Sequence, residues 1–462
     1  MFSRRNVFKA LYLLSKEKGV KVYLVGGALR NLYLSRPFEP DIDFVLDDGI
    51  DDFPDAAAAR LGGKSFILDK ETKAARVIVK KGGITPFAPK TYTLDFSPMD
   101  GGDIIHDLEK RDFTVNATAV ELSSIFEGAE LKVIDPCEGI ADAEKKVLAA
   151  TNKRVFKEDP LRCLRAIRLS LQCGLAISPA AFVLLKVSAH LLKNTSVERI
   201  RDELLRIFSC AGAAQGLKTI FKTGINDTAL PETRGWAGIG LKGYDLLTHS
   251  LKTLEEAESF LADFRVEFPR HSKRLARHFS SSIGGVKRGV FLKVCAFFHD
   301  MNGADTAMSL AKRLRMSRKL AAGFSSVVKN HHRFFAYAQL KEKNARAKAH
   351  FFRAAGGSLG VDVVFIALAH AMATRKRGYP EVKKAAGELL EYYYGVFTRK
   401  RQGPILTGAQ VMRIFGVSEG PLVGEMLEGI SGAVDAGAVT NKKEAVEYIQ
   451  SRFFPNGQGH GD

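Results

Sequence analysis

The stretch Val22-Tyr23-Leu24-Val25-Gly26-Gly27-Ala28-Leu29-Arg30, followed by Asp41-Ile42-Asp43-Phe44-Val45-Leu46, decides how this chain of 462 residues is read. Residues 21–25 are β-prone and run into paired glycines, which predicts a short strand, a tight turn and a helix over 28–34. Residues 41–46 alternate as a second strand, and the period of two puts Asp41 and Asp43 on one face. Two carboxylates on one rigid face suit one or two Mg²⁺ ions, which bind triphosphate oxygens, activate a hydroxyl and stabilise a leaving pyrophosphate. A DxD alone also reads as a solvated turn. Gly26 and Gly27 let backbone N–H groups approach a phosphate, and the helix N-terminus and Arg30 add positive potential. A glycine pair alone also reads as an ordinary strand-to-helix turn; it is the combination that points to a nucleotide.

Working outward, further strand-like runs fall at 65–68, 75–79, 91–96 and 131–134. Strand signals then nearly vanish. Residues 155–173, 179–193 and 196–209 read as helices, and glycine-bearing breaks at 211–216, 282–289, 356–360 and 401–404 separate later helical blocks. The expected fold class is α+β, a mixed-sheet head followed by an all-α remainder, with a disordered tail over 455–462. Lys and Arg outnumber Asp and Glu by 69 to 51, an excess that favours a polyanionic partner, nucleic acid ahead of membrane. The five cysteines have no zinc or disulfide spacing, which fits a reducing cytoplasm. Charges interrupt any N-terminal leader-like segment, and no uncharged run reaches a membrane span of ~18 residues.

The quoted residues resemble the LVGGxVRD…DxD signature of class II CCA-adding enzymes and bacterial poly(A) polymerases, which are polymerase β-type nucleotidyltransferases. Asn31 stands where that signature usually has Asp. The block Asp107 to Ala117 resembles the family's DLxRRDFTxNA, with Lys110 for the first Arg. By that resemblance Arg111, Asp112 and Asn116 hold the incoming ribose and phosphates. Asp135-Pro136 to Asp142 resembles the hinge between head and neck.

The block Glu158 to Arg168 resembles EDPLRxLRAxR, which in the family reads the base. The chemistry of such a reader is direct. Asp159 accepts from an exocyclic amine and Arg162 donates to a bare ring nitrogen, a pair that adenine and cytosine present and that guanine and uracil reverse. Arg162, Arg165 and Arg168 form a slanting stripe that reaches toward a triphosphate, or alternatively a solvated arginine face. Ser196 to Leu204 resembles the SxERIxxEL neck brace, with Glu198, Arg199 and Glu203 read as structural. The domains implied are a catalytic head at 1–143, a base-reading neck at 144–225, a body at 226–400 and a tail at 401–462.

In the body, Thr248-His249-Ser250 and Phe298-His299-Asp300 resemble the first elements of an HD-type metal phosphohydrolase. His370 stands where the late Asp of that domain belongs; an imidazole there could still ligate a metal, but a non-catalytic helical scaffold is the expectation. Basic runs at 270–277, 312–319, 341–348, 375–377 and 399–401, some beside Phe334, Phe335, Phe351 and Phe352, are the expected RNA grip.

The resemblance implies a template-independent enzyme that adds CMP or AMP from CTP or ATP to the 3′ end of an RNA, tRNA first. Asp41 and Asp43 would be catalytic and hold Mg²⁺, with Asp95 as a third carboxylate. Gly26, Gly27, Arg30, Arg111, Asp112, Asn116, Asp159, Arg162, Arg165 and Arg168 would bind the nucleotide. CCA, CC-only, A-only and poly(A) addition stay open. An HD-type hydrolase and a non-catalytic RNA-binding protein are the rival readings.

Overall fold

The computed structural model describes residues 2–80, 91–127, 131–238, 240–241, 244–374, 379–398, 404–435 and 438–455. The basic runs at 375–377 and 399–401 and the tail over 456–462 lie outside the described residues. The chain divides into two compact units, one of residues 1–210 and 218–231, the other of 211–217 and 232–462. Among the described residues, no single helix is long and apolar enough to cross a membrane.

The first unit opens with α1 (Phe2–Lys18), β1 (Val22–Val25), α2 (Gly27–Tyr33), β2 (Asp41–Leu46), α3 (Phe53–Leu61), β3 (Lys64–Ile67), β4 (Ala75–Lys80) and β5 (Thr91–Pro98). Then come α4 (Ile104–Glu109), β6 (Ala119–Glu121), α5 (Leu122–Glu127), β7 (Val133–Ile134) and α6 (Gly139–Glu144). Seven strands form one sheet in the order β3-β4-β5-β2-β1-β6-β7. β2 is central, antiparallel to β1 and parallel to β5. The predicted strands are all present within a residue or two. α3 and β6 were not predicted.

The alternation along β2 has a physical outcome. Ile42, Phe44 and Leu46 enter a core with Leu11, Leu24, Phe53, Val77, Leu94 and Phe96, beneath α1 and α3. Asp41, Asp43 and Val45 face the other way, where Val45 joins Tyr23, Val25, Ile104, Leu108 and Ala119 in a smaller cluster. Burying one face of the strand therefore fixes which face carries the carboxylates.

The unit continues as α7 (Val155–Glu158), α8 (Arg162–Cys173), α9 (Pro179–Ser188) and α10 (Val197–Ser209). The single helix predicted over 155–173 is thus broken. Pro160 lacks an N–H and pushes the residue before it out of the helical region, and Asp159 is extended at φ −137°, ψ 100°. Gly174 in the left-handed region ends α8, and the Ser178 side chain accepts from Ala181 N to start α9.

α11 (Ala213–Thr223) and α12 (Asn226–Ala229) follow. The second unit is then almost all helical: α13 (Leu246–Glu267), α14 (Ser272–Ser280), α15 (Arg288–Phe298), α16 (Gly303–Arg313), α17 (Arg318–Ala338), α18 (Ala345–Ala354), α19 (Leu359–Ala373) and α20 (Tyr379–Tyr392). α21 (Gly408–Phe415), α22 (Pro421–Asp435) and α23 (Lys442–Phe453) close a core of their own around Val411, Met426 and Ile449. α19 is apolar apart from Asp362, which pairs with Arg288, and His370, and it is buried over most of its length, as the central helix of a bundle must be. Phe334, Phe351 and Phe352 are buried, which corrects their reading as part of an RNA grip: these rings pack the interior and cannot stack on a base.

Candidate active site

Strand register builds the carboxylate cluster. Asp43 on β2 lies directly opposite Asp95 on β5, and Asp95 opposite Arg76 on β4. All three point to the face away from the main core. Arg76 grips Asp95 with two bonds, Nε to Oδ1 at 2.8 Å and Nη2 to Oδ2 at 2.7 Å. Asp43 is exposed at its surface yet closely surrounded by Asp95, Arg111, Arg165 and Asp41. Poor hydration there, and then the like charge of Asp95, push its carboxyl above the ordinary value against the pull of Arg111 and Arg165, with Asp41 adding repulsion. Three carboxylates from neighbouring strands, crowded until one resists ionising, are an arrangement that a divalent cation relieves.

Gly26 frames the other side. It sits at φ 71°, ψ −136°, a region essentially closed to residues with a Cβ, and an added Cβ would lie 2.9 Å from Asp43 Oδ2. α2 begins immediately after it, so the helix N-terminus adjoins the carboxylates. Arg30 is buried in α2 and donates from Nη1 to Asn116 Oδ1 at 2.9 Å. Asn31, the departure from the expected Asp, is itself buried and braces Arg30, accepting from Nη2 at 3.1 Å.

From Asn116 the network continues. Its Nδ2 donates to Asp112 Oδ1 at 2.9 Å, and Arg165 of α8 bonds the other Asp112 oxygen. Burial works to raise the Asp112 carboxyl, but Arg165 and the Asn116 amide outweigh it and hold the group below the usual carboxylate range. Arg111 is anchored to Asp107 at 3.0 Å. Arg30, Asn116, Asp112 and Arg165 therefore form one chain of contacts from α2 to α8, and both Arg111 and Arg165 act electrostatically on Asp43.

Asp159 and Arg162 flank the Pro160 break. Asp159 Oδ1 accepts from Leu161 N at 3.2 Å, and its Oδ2 accepts from Arg199 Nη2 at 2.8 Å. Arg162 is held by the Lys110 carbonyl at 3.2 Å and Glu158 at 3.4 Å. Arg168 stands apart from this group. It pairs with Glu203 at 2.7 Å and Gln172 at 2.8 Å between α8 and α10, with side-chain exposures of 11% and 4% for Arg168 and Glu203. Sequence reasoning missed three supports, Arg76, Asp107 and the positioning part of Arg199. The i,i+4 spacing of Asp107 and Arg111 was a usable signal; Arg76 could be found only from the strand register.

Residues 22–149 match the family described as the poly A polymerase head domain, and residues 174–236 match the probable RNA and SrmB-binding site of polymerase A. With the carboxylate strand and its glycine turn, these define the class: the chain is a nucleotidyltransferase built on a poly A polymerase head. Its curated homologues are tRNA nucleotidyltransferases. It is 28% identical to the CC-adding tRNA nucleotidyltransferase of Geobacter sulfurreducens, over 95% of this chain and 94% of that protein. It is also 28% identical to the A-adding enzyme of Deinococcus radiodurans, over 92% and 94% respectively. The Thermotoga maritima CCA-adding enzyme solved with tRNA shares the fold, with a TM-score of 0.63 at 21% identity over 96% of this chain and 95% of that one.

Proposed function

We propose that this nucleotidyltransferase extends the 3′ end of tRNA by CMP and AMP units from CTP and ATP, without a template, in the cytoplasm. The observation that carries the reading is the register pairing of Asp43 with Asp95 beside Asp41, on the face that Gly26 leaves open. The homologues named for CC and A addition support this choice of substrates.

Asp41, Asp43 and Asp95 would hold Mg²⁺, which when bound activates the RNA 3′-hydroxyl and stabilises the pyrophosphate leaving group. The chain's own groups supply the rest. Gly26 and Gly27 and the start of α2 present backbone N–H groups to phosphate oxygens, while Arg111 and Arg165 add positive charge. Arg30 works at one remove, orienting Asn116 and through it Asp112. Asp159, steadied by Arg199, accepts from the amine of adenine or cytosine. Arg162, steadied by the Lys110 carbonyl, donates to the adjacent ring nitrogen.

The test uses tRNA lacking its terminal CCA, tRNA ending in CC, and each nucleoside triphosphate separately, with products sized on a gel. Extension of either tRNA by C or A with Mg²⁺, lost in Asp41→Ala and Asp43→Ala proteins that still melt cooperatively, is expected. Extension of neither, or transfer near the wild-type rate in either variant, overturns the reading.

A further inference from the structure

Arg76, Asp95 and Asp43 stand in one cross-strand row, on β4, β5 and β2 in turn. Strand spacing puts the backbone of Arg76 roughly 9–10 Å from that of Asp43. The guanidinium feels the charge of Asp41 and Asp43 as well as that of Asp95. Its two bonds nonetheless both go to Asp95, one to each oxygen, at 2.8 and 2.7 Å.

That fork matters because of what it occupies. A planar guanidinium set edge-on to a carboxylate takes the inner lone pair of each oxygen. A divalent ion binds through the same electron pairs, so in this geometry Asp95 serves one cation or the other.

A second observation agrees. Oxygens that share one octahedral Mg²⁺ at ~2.0–2.1 Å are about 2.9 Å apart when adjacent and about 4.2 Å apart when opposite. Asp41, Asp43 and Asp95 do not offer three oxygens within 4.8 Å of one another, although other groups among the described residues meet that test. Strand pairing already puts the three side chains on one face, so what is missing is a rotation of side chains. The partner that fixes the rotation of Asp95 is Arg76. The Arg76 side chain is 40% exposed, so it can swing outward without disturbing the core.

We propose that Arg76 is a positioning residue that withholds Asp95 from metal, serving as its counter-cation until an incoming triphosphate draws the guanidinium away. This rests on the reading of Asp41, Asp43 and Asp95 as the Mg²⁺ ligands. A triphosphate offers the same planar fork paired oxygens of higher charge, and it arrives with its own divalent ion at the carboxylate that Arg76 vacates. The third ligand therefore becomes available with the nucleotide and not before it.

The experiment uses the full-length protein with Mn²⁺ as the probe, the free ion being counted by electron paramagnetic resonance. The Asp41→Ala/Asp43→Ala protein gives the background of ions held elsewhere. Without nucleotide, Arg76→Gln should bind Mn²⁺ about five- to tenfold more tightly than wild type, because a competing cation is gone. With a non-hydrolysable ATP analogue, the same variant should bind the Mn²⁺–analogue complex about fivefold more weakly, because a phosphate partner is gone. A residue that merely braces Asp95 would lose affinity in both measurements. Only the opposite pair of changes sustains the proposal; either change absent, or of the other sign, overturns it. Should Arg76→Gln fold poorly, Arg76→Lys keeps the charge without the fork and should show the same two changes at smaller size, judged in the same way. No Mn²⁺ binding above background in wild type or in Arg76→Gln, with or without the analogue, overturns the metal reading of the head and this proposal with it. Binding that Arg76→Gln leaves unaltered overturns this proposal alone.

Discussion

Replacing Gly26 with alanine separates two consequences of one added methyl group. The backbone at φ 71°, ψ −136° is a conformation in which a Cβ costs about 1–3 kcal/mol. At roughly 2–4 °C per kcal/mol for a unit of this size, the melting temperature should fall by roughly 2–12 °C. The methyl group would also sit 2.9 Å from Asp43 Oδ2, and that carboxylate, not the backbone, is the atom free to move. A displacement approaching ~1 Å at a reacting centre costs about 100-fold in rate, so Gly26→Ala should lose about two decades of nucleotidyl transfer at temperatures where it is fully folded. The control is Gly62→Ala. Gly62 ends α3 at φ 65°, ψ 34° with nothing within 4 Å of a new Cβ. It should cost about 1–2 kcal/mol and lower the melting temperature comparably, while transfer stays near wild type. Single-turnover incorporation into tRNA at 20 °C beside a melting curve reads both. Transfer by Gly26→Ala within twofold of wild type would refute the placement of Asp43 at the chemistry, and an equal loss in Gly62→Ala would reduce the effect to general instability.

Three further outcomes follow from the same geometry. Asp159→Ala should relax discrimination against GTP and UTP by about one to two decades, from the ~1–3 kcal/mol of a base-reading pair; Arg199→Ala should relax it less. Unaltered preference with a lower melting temperature would leave Asp159 a helix-terminus residue only. Arg168→Ala leaves the buried Glu203 with Arg206, at 3.0 Å, as its remaining cationic partner among the described residues and should destabilise the first unit by about 1.5–3 kcal/mol in urea titration, with base choice intact; normal stability with weakened nucleotide binding would return Arg168 to the site. Burial, with a contribution from Asp159, pushes the Cys163 thiol up to about 12, so its reactive thiolate appears only as pH climbs toward that value. Iodoacetamide at pH 8 should therefore modify Cys163 only after denaturation, and peptide mapping that finds it labelled in the native protein would contradict its burial.

The sheet was legible in the sequence because β2 alternates so plainly: acid, apolar, acid, apolar fixes both strand and face. Gly26 and Asp43 were legible as parts of one motif, but the antiparallel pairing of β1 with β2 that brings them together came only with the structure. What was not legible depended on register. Nothing local to Ala75–Lys80 says that Arg76 will land opposite Asp95, because the pairing is decided by packing of Val77 and Leu94 into a core assembled from distant segments. The break at Pro160 was written in the chain, but helical periodicity on both sides of it concealed the extended Asp159. In the second unit, sequence spacing marked His249, His299 and Asp300 and left the part played by His370 open. Only packing of α19 against α13 and α17 brings His370 Nδ1 to 2.9 Å from His299 Nε2, a meeting that no local spacing shows.

The position of β2 in the sheet also bears on synthesis. A ribosome that has just produced the DxD strand has made it together with β1 on one side only; the parallel partner β5 and the outer neighbour β6, which pairs with β1, are still untranslated. At about 5–20 residues per second, the nascent head presents an open, apolar strand edge for several seconds before Asp95 emerges. Slow translation through residues 47–90 would lengthen that window, so the codons of this segment, which encode no proposed catalytic residue, should influence how much chain matures and how much is captured by chaperones or aggregates.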